Sequence, residues 1–313
     1  MNGLELSRAF YEEYGAPMLR EQFPSLLPLL AVGLLGAGSE CFGFDDAISQ
    51  DHDFEPGFCI FLPGEDVVDR RSAFQLERAY AKLPREFAGF QRPMMLPVGG
   101  ARRGVLRTEE FFAEKTGTPD GVLTLRQWLT VPEQSLAEAT NGEVYFDNYG
   151  QVTELRARLA YFPEDVRCKR LAGHLLLMAQ SGQYNYSRCL RHGEPAAAQL
   201  AVCEFVKSAL SAIFLLNRRY QPYYKWSFRA LRSLPLLSEQ AGALEALLTA
   251  GGGEAHAEEK AEIIEDVAAA VIDALTEQDL TRAVCGDLEK HAYSVNDRVE
   301  DAALRNEHIL AAI

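Results

Sequence analysis

The sequence predicts an α+β protein, with strands and helices mixed over residues 1–150 and helices alone over residues 151–313. Three observations predict it. Short apolar runs closed by glycine turns recur in the first half, as buried strands do. Stretches with apolar residues at helical spacing lie between them. Beyond about residue 152 only the helical spacing is left, broken by Pro163, Gly182, Gly193, Pro222 and Pro235. Of the 313 residues 48% are hydrophobic and 24% charged, so an ordinary globular core is expected and disorder is not.

Taken in order, Leu6, Phe10, Tyr14 and Leu19 suit a helix over 4–22, which Pro24 and Pro28 end. Residues 29–35 read as a buried strand running into the Gly36-Ala37-Gly38 turn. A second strand is expected over 51–62, where Asp-His-Asp-Phe leads into Phe-Cys-Ile-Phe-Leu. Ala73, Leu76, Ala79, Tyr80 and Leu83 give one face to a helix over 67–83. A third strand is expected over 104–107, then a short helix through Phe111 and Phe112. Residues 135–139 look helical, and 143–147 form a strand before the turn at Asn148-Tyr149-Gly150. The second half reads as helices over 155–159, 166–180, 196–220, 225–231, 257–275 and 297–313. Gly251-Gly252-Gly253 is its clearest flexible break.

Net charge is -14, which argues against affinity resting on unpatterned attraction to nucleic-acid phosphates. No N-terminal basic-plus-apolar pattern is present, and no apolar run approaches the ~20 residues of a membrane helix. A cytoplasmic location and no membrane partner are therefore expected. The six cysteines at 41, 59, 168, 189, 203 and 285 form no Cys-x-x-Cys pair, and the six histidines are equally dispersed. Reduced, mostly buried thiols are expected, and a zinc site is not.

The chemistry concentrates between Gly38 and Asp53. Gly38-Ser39 closes the first strand, and its backbone N–H groups suit an anion nest. Asp51 and Asp53 stand two apart, so on a strand both carboxylates face one spot while His52 faces away. That arrangement suits Mg2+, which prefers one or two carboxylates plus the oxygens of a triphosphate. The plainer alternative is two solvated acids at a strand entrance. Asp45 and Asp46, on the loop between, cap a short helix or support the site.

Gly38-Ser39 followed by Asp51-His52-Asp53 resembles the signature of the polymerase-beta-like nucleotidyltransferase superfamily. Glu40, Gly43, Asp45-Asp46, Ser49 and His52 add a resemblance to an uncharacterised bacterial branch of it, distantly akin to aminoglycoside nucleotidyltransferases. The resemblance implies a nucleotidyltransferase-fold mixed sheet in an N-terminal catalytic domain, 1–150, followed by a helical domain, 151–313. It implies Mg2+ held by the catalytic Asp51 and Asp53, with Gly38 and Ser39 on the phosphates of ATP or another nucleoside triphosphate. The acceptor is then a hydroxyl, on a small molecule rather than a nucleic acid. A third carboxylate, the base in many such enzymes, is sought at Glu109 or Asp147. Glu109 starts a helix, where the helix dipole alone explains an acid. In the helical half, Arg188 (with Arg191) and Lys225 lie in aromatic-rich segments, and by the same resemblance they balance triphosphate charge. Those segments equally suit a seam packed with half-buried aromatics. Two other readings stand beside transfer to a small molecule. One is a nucleotide-binding regulatory protein of the same fold, and the other is a nucleotidyltransferase acting on protein or RNA.

Overall fold

Asn2 opens α1 (Gly3–Phe10) with a reciprocal cap: its side chain accepts from the Glu5 N–H, while the Glu5 carboxylate accepts from the Asn2 N–H. Such a box satisfies two donors that a helix start leaves open. A π-helical turn, Tyr11–Gly15, carries the chain into α2 (Ala16–Gln22), so the helix expected over 4–22 is continuous. The structure, a computed structural model, describes residues 1–51, 54–92, 102–251, 254–311 and 313.

The protein is α+β, with a mixed sheet and helices in its N-terminal part and a helical C-terminal region. The strands are β1 (Ala31–Leu34), β2 (Cys59–Leu62), β3 (Glu86–Phe87), β4 (Phe90–Gln91), β5 (Gly104–Arg107) and β6 (Glu143–Asp147). The main sheet has the order β5-β2-β1-β6, and β3 and β4 form a small hairpin. β1 runs antiparallel to both β2 and β6, whereas β5 is parallel to β2. Every residue of β1 and β2 is buried, which is why both read as unbroken apolar runs rather than alternating ones. Phe10, Leu19, Val32, Phe58, Ile60, Leu76 and Tyr80 meet in one core beside them. The helices of this half are α3 (Arg70–Ala81), α4 (Thr108–Thr116), α5 (Leu125–Thr130), α6 (Glu133–Thr140) and α7 (Gln151–Arg158).

The strand expected over 51–62 forms only at Cys59–Leu62, and Asp51 instead ends a short 3-10 turn, Ile48–Asp51. Pro56 has no N–H for a ladder. The Tyr80 hydroxyl accepts from the Phe58 N–H, taking a donor that a longer strand would use, and donates to the Phe58 carbonyl, which also accepts from the Gly104 N–H of β5. Asp51 therefore lies outside the strand. His52 and Asp53 lie outside the described residues.

The chain divides into two units. One comprises residues 1–123 and 134–160, and the other 124–133 and 161–313. α7 thus belongs with the sheet, ten residues past the boundary expected at 150, and α5 belongs with the helices. In the second unit α8 (Glu164–Met178), a π-helix (Ala179–Tyr186) and α9 (Ser187–Arg191) run on without a break. The interruption expected at Gly182 is absent. That glycine instead allows a close approach, since a Cβ there would lie 2.3 Å from the Phe205 ring.

A turn at Gly193 reverses the chain into α10 (Pro195–Leu216), and α11 (Tyr224–Leu231), α12 (Gln240–Thr249), α13 (Ala257–Glu277), α14 (Leu288–Asn296) and α15 (Ala302–Asn306) follow. The helix expected over 297–313 shrinks to α15. The tail is held instead by the buried Lys169 ammonium, which donates to the Arg305 and Glu307 carbonyls at 3.2 and 2.7 Å. Contrary to expectation, α10 has the length and composition of a membrane span, with 22 residues and a mean hydropathy of 1.6. It is nonetheless 61% buried over that stretch, with Phe205, Ala209 and Ile213 fully enclosed.

Candidate functional site

The turn that leaves β1 is held from several sides. The Asn141 side chain donates to the Gly36 carbonyl at 2.8 Å and accepts from the Gly36 N–H at 2.9 Å, closing the turn as a strand neighbour would. The Gly142 N–H donates to the Cys41 carbonyl at 2.8 Å. Asp45 accepts from the Gly3 N–H at 2.7 Å, seating the start of α1 on the loop. Asp46 accepts from the Ile48 and Ser49 N–H groups, so both aspartates do the capping work that is their commoner use.

Gly38 sits in the turn at φ +124, a region that side-chain-bearing residues rarely adopt. Ser39 precedes the 3-10 turn Glu40–Phe42, and its side chain does not cap it. Among the described residues nothing accepts from the Gly38 or Ser39 N–H groups. Two backbone donors left open in an anchored turn are the elements of an anion-binding concavity.

A buried ion pair lies beneath this turn. Arg103 Nη2 is 3.0 Å from Glu40 Oε1, and the two residues are each only 6% exposed. Arg103 Nη1 donates to the Glu55 carbonyl and stands 3.6 Å from its carboxylate. Glu143, the first residue of β6, pairs with Arg8 of α1. The buried Cys41 and Cys59 thiols lie nearby. Burial raises both, Cys59 to about 11 and Cys41 further, so neither is a thiolate near neutral pH. Among the described residues no group of three or more His, Cys, Asp and Glu side chains is arranged to hold a metal ion.

Strand register shows which candidates share an end of the sheet. Leu34, Glu143, Cys59 and Gly104 mark one end; Ala31, Asp147, Leu62 and Arg107 mark the other. Gly38-Ser39 leaves from the first end, and the segment that follows Asp53 enters β2 there. Glu109 follows Arg107, so it and Asp147 belong to the second end, ~10 Å away along strands that rise ~3.3 Å per residue. Asp147 also has both oxygens engaged, accepting from the Gly150 and Thr153 N–H groups at 2.8 and 2.7 Å to start α7. Glu109 is an exposed acid in the first turn of α4, where the helix dipole suffices. Neither reaches the turn as a third carboxylate.

Arg188 and Lys225 belong to the second unit. Arg188 lies exposed over the Tyr184 ring at 5.6 Å, and Lys225 over Trp226 at 4.9 Å. Arg188 is beside the hairpin turn that opens α10. Lys225 follows Gln221, whose side chain accepts from Ser211 near the far end of α10. They sit toward opposite ends of one hairpin and do not form a single cluster. Tyr184 also lines a cavity of about 730 Å³ together with Gln183, Glu265 and Asp287.

Sequence reasoning missed the residues that fix the turn, namely Asn141, Arg103 and the Arg8–Glu143 pair. None shows periodicity or a motif, because each acts across a long chain separation. The Asn141-Gly142 dipeptide was the one local signal.

A family model described as a domain of unknown function (DUF4037) matches residues 128–227. The match runs from α5 through β6 to the middle of α11. It includes Asp147, Arg188 and Lys225 and leaves Gly38, Ser39, Asp51, Asp53 and Glu109 outside. No curated protein matches the chain.

Proposed function

We propose that the protein is a nucleotidyltransferase that moves a nucleoside monophosphate, AMP from ATP, to a hydroxyl of an acceptor, with a small molecule favoured. One observation carries the reading. The anchored turn after β1 leaves the Gly38 and Ser39 N–H groups open at the sheet end where the connection bearing Asp51-His52-Asp53 returns into β2. Open amides of this kind bind phosphate oxygens. Two neighbouring carboxylates supply the hard oxygen donors that magnesium prefers beside a triphosphate, so the donor set of Asp51 and Asp53 fits that ion. Bound there, magnesium would neutralise charge on the transferring group. The protein's own part is to hold the triphosphate at Gly38-Ser39 and to keep the turn from shifting.

Replacing Asp51 and Asp53 with Asn tests the assignment through magnesium-dependent pyrophosphate release from ATP with an acceptor library. Loss of release with unchanged circular dichroism supports it, and full activity in the double variant refutes it. A second reading has its own support. With Glu109 and Asp147 at the far end of the sheet, neither supplies a base at the turn, as suits a regulatory protein that binds nucleotide without transferring it. ATP binding with no pyrophosphate release across the library would favour that reading.

A further inference from the structure

We infer that Arg103 is a positioning residue of the nucleotide site, cancelling the charge of Glu40 beside the phosphate-binding turn and tying that turn to the segment that follows Asp53. The inference rests on the nucleotide reading given above. An ideal Cβ on Gly38 would lie 2.5 Å from both carboxylate oxygens of Glu40, so a buried anion stands directly against the turn proposed to receive phosphates. Left unpaired, it would repel them, and in so enclosed a place solvent screens little. Arg103 reaches this carboxylate at 3.0 Å with one arm of its guanidinium. Its other arm donates to the Glu55 carbonyl, two residues past Asp53. One rigid fork therefore spans the two chain segments that carry the proposed site, as a flexible lysine could not. The pair is 6% and 8% exposed at its side chains, and stability alone does not account for it, since buried ion pairs add little net stability over apolar replacements.

The test is calorimetry of ATP with magnesium on Arg103→Met, Glu40→Gln and the double variant, alongside their unfolding midpoints. Arg103→Met leaves the anion uncompensated and is expected to weaken ATP binding about tenfold or more. Glu40→Gln removes the charge but can still accept from Arg103, so it should bind ATP as tightly as wild type or tighter. The double variant should recover most of the affinity lost in Arg103→Met, even where its unfolding midpoint stays low. Equal losses in Arg103→Met and the double variant, or weaker binding in Glu40→Gln, would overturn the inference while leaving the nucleotide reading intact. A wild-type protein that binds no ATP would overturn both. Glu40→Gln is nearly isosteric, so weaker binding there overturns the inference, and tighter binding supports it, even if Arg103→Met fails to fold.

Discussion

Gly38→Ala should damage the protein far more than Gly43→Ala, although both glycines lie in the same loop at positive φ. At Gly43 (φ +69) nothing lies within 4 Å of a Cβ, so alanine pays only for a left-handed backbone, ~1–2 kcal/mol. At Gly38 (φ +124) the new methyl would lie 2.5 Å from both oxygens of a carboxylate pinned by Arg103. Relief requires the Glu40 carboxylate to leave its partner, and breaking a buried pair costs ~3–5 kcal/mol. Partial relaxation gives a total of ~3–5 kcal/mol for Gly38→Ala, at least ~1 more than for Gly43→Ala. Tryptophan fluorescence is the wrong probe, since Trp128 and Trp226 both belong to the second unit. Native-state hydrogen exchange at β1 and β2 reports on the sheet itself. Equal protection in the two variants would refute the close packing of Glu40 against the turn.

Other outcomes follow from individual contacts. Asp147→Asn leaves one acceptor oxygen for the Gly150 and Thr153 N–H groups and should cost ~1 kcal/mol, the scale of a lost hydrogen bond, with ATP binding unchanged; a calorimetric loss of binding would return Asp147 to the site. His174 is buried with Nδ1 unpartnered, and burial, then Arg170 and Lys207, lower its pKa to about 3. The unfolded chain thus takes up the proton first. His174 holds its full stabilising effect above pH 6.5 and loses it as pH falls from there toward 3, by up to ~1.4 kcal/mol per pH unit. A urea titration series in which His174→Leu keeps the same acid slope as wild type would contradict this. Thiol labelling of the native protein should reach the exposed Cys285 well before the buried Cys41, Cys59 and Cys168; fast labelling of Cys59 would show that the sheet opens.

The fold was legible where local pattern decides it. The runs at Ala31–Leu34 and Cys59–Leu62 are buried on both faces, and the heptad-like face of α3 buries Ala73, Leu76, Ala79 and Tyr80 as its spacing predicts. Legibility failed where distant groups outvote local preference. Tyr80, more than twenty residues away, takes the Phe58 N–H just before β2, and Lys169 holds the C-terminal tail out of a longer helix. α12 and α14 carry mixed polar and apolar residues that periodicity alone did not separate from loop. At the candidate site the sequence offered the residues proposed to bear the chemistry but not those that hold the turn. A glycine-serine turn and paired aspartates form a local pattern, whereas the Arg103 bridge between Glu40 and Glu55 exists only once β5 lies beside β2. The placement of Glu109 and Asp147 likewise depends on register, which a single chain does not reveal.

The most direct measurement is calorimetric titration of ATP into wild type and the Asp51→Asn, Asp53→Asn double variant, with and without magnesium. Wild type should bind ATP tightly only when magnesium is present, and the double variant should lose that magnesium dependence while its circular dichroism is unchanged. Magnesium-dependent binding of undiminished strength in the double variant would contradict the assignment of Asp51 and Asp53 beside the Gly38-Ser39 turn.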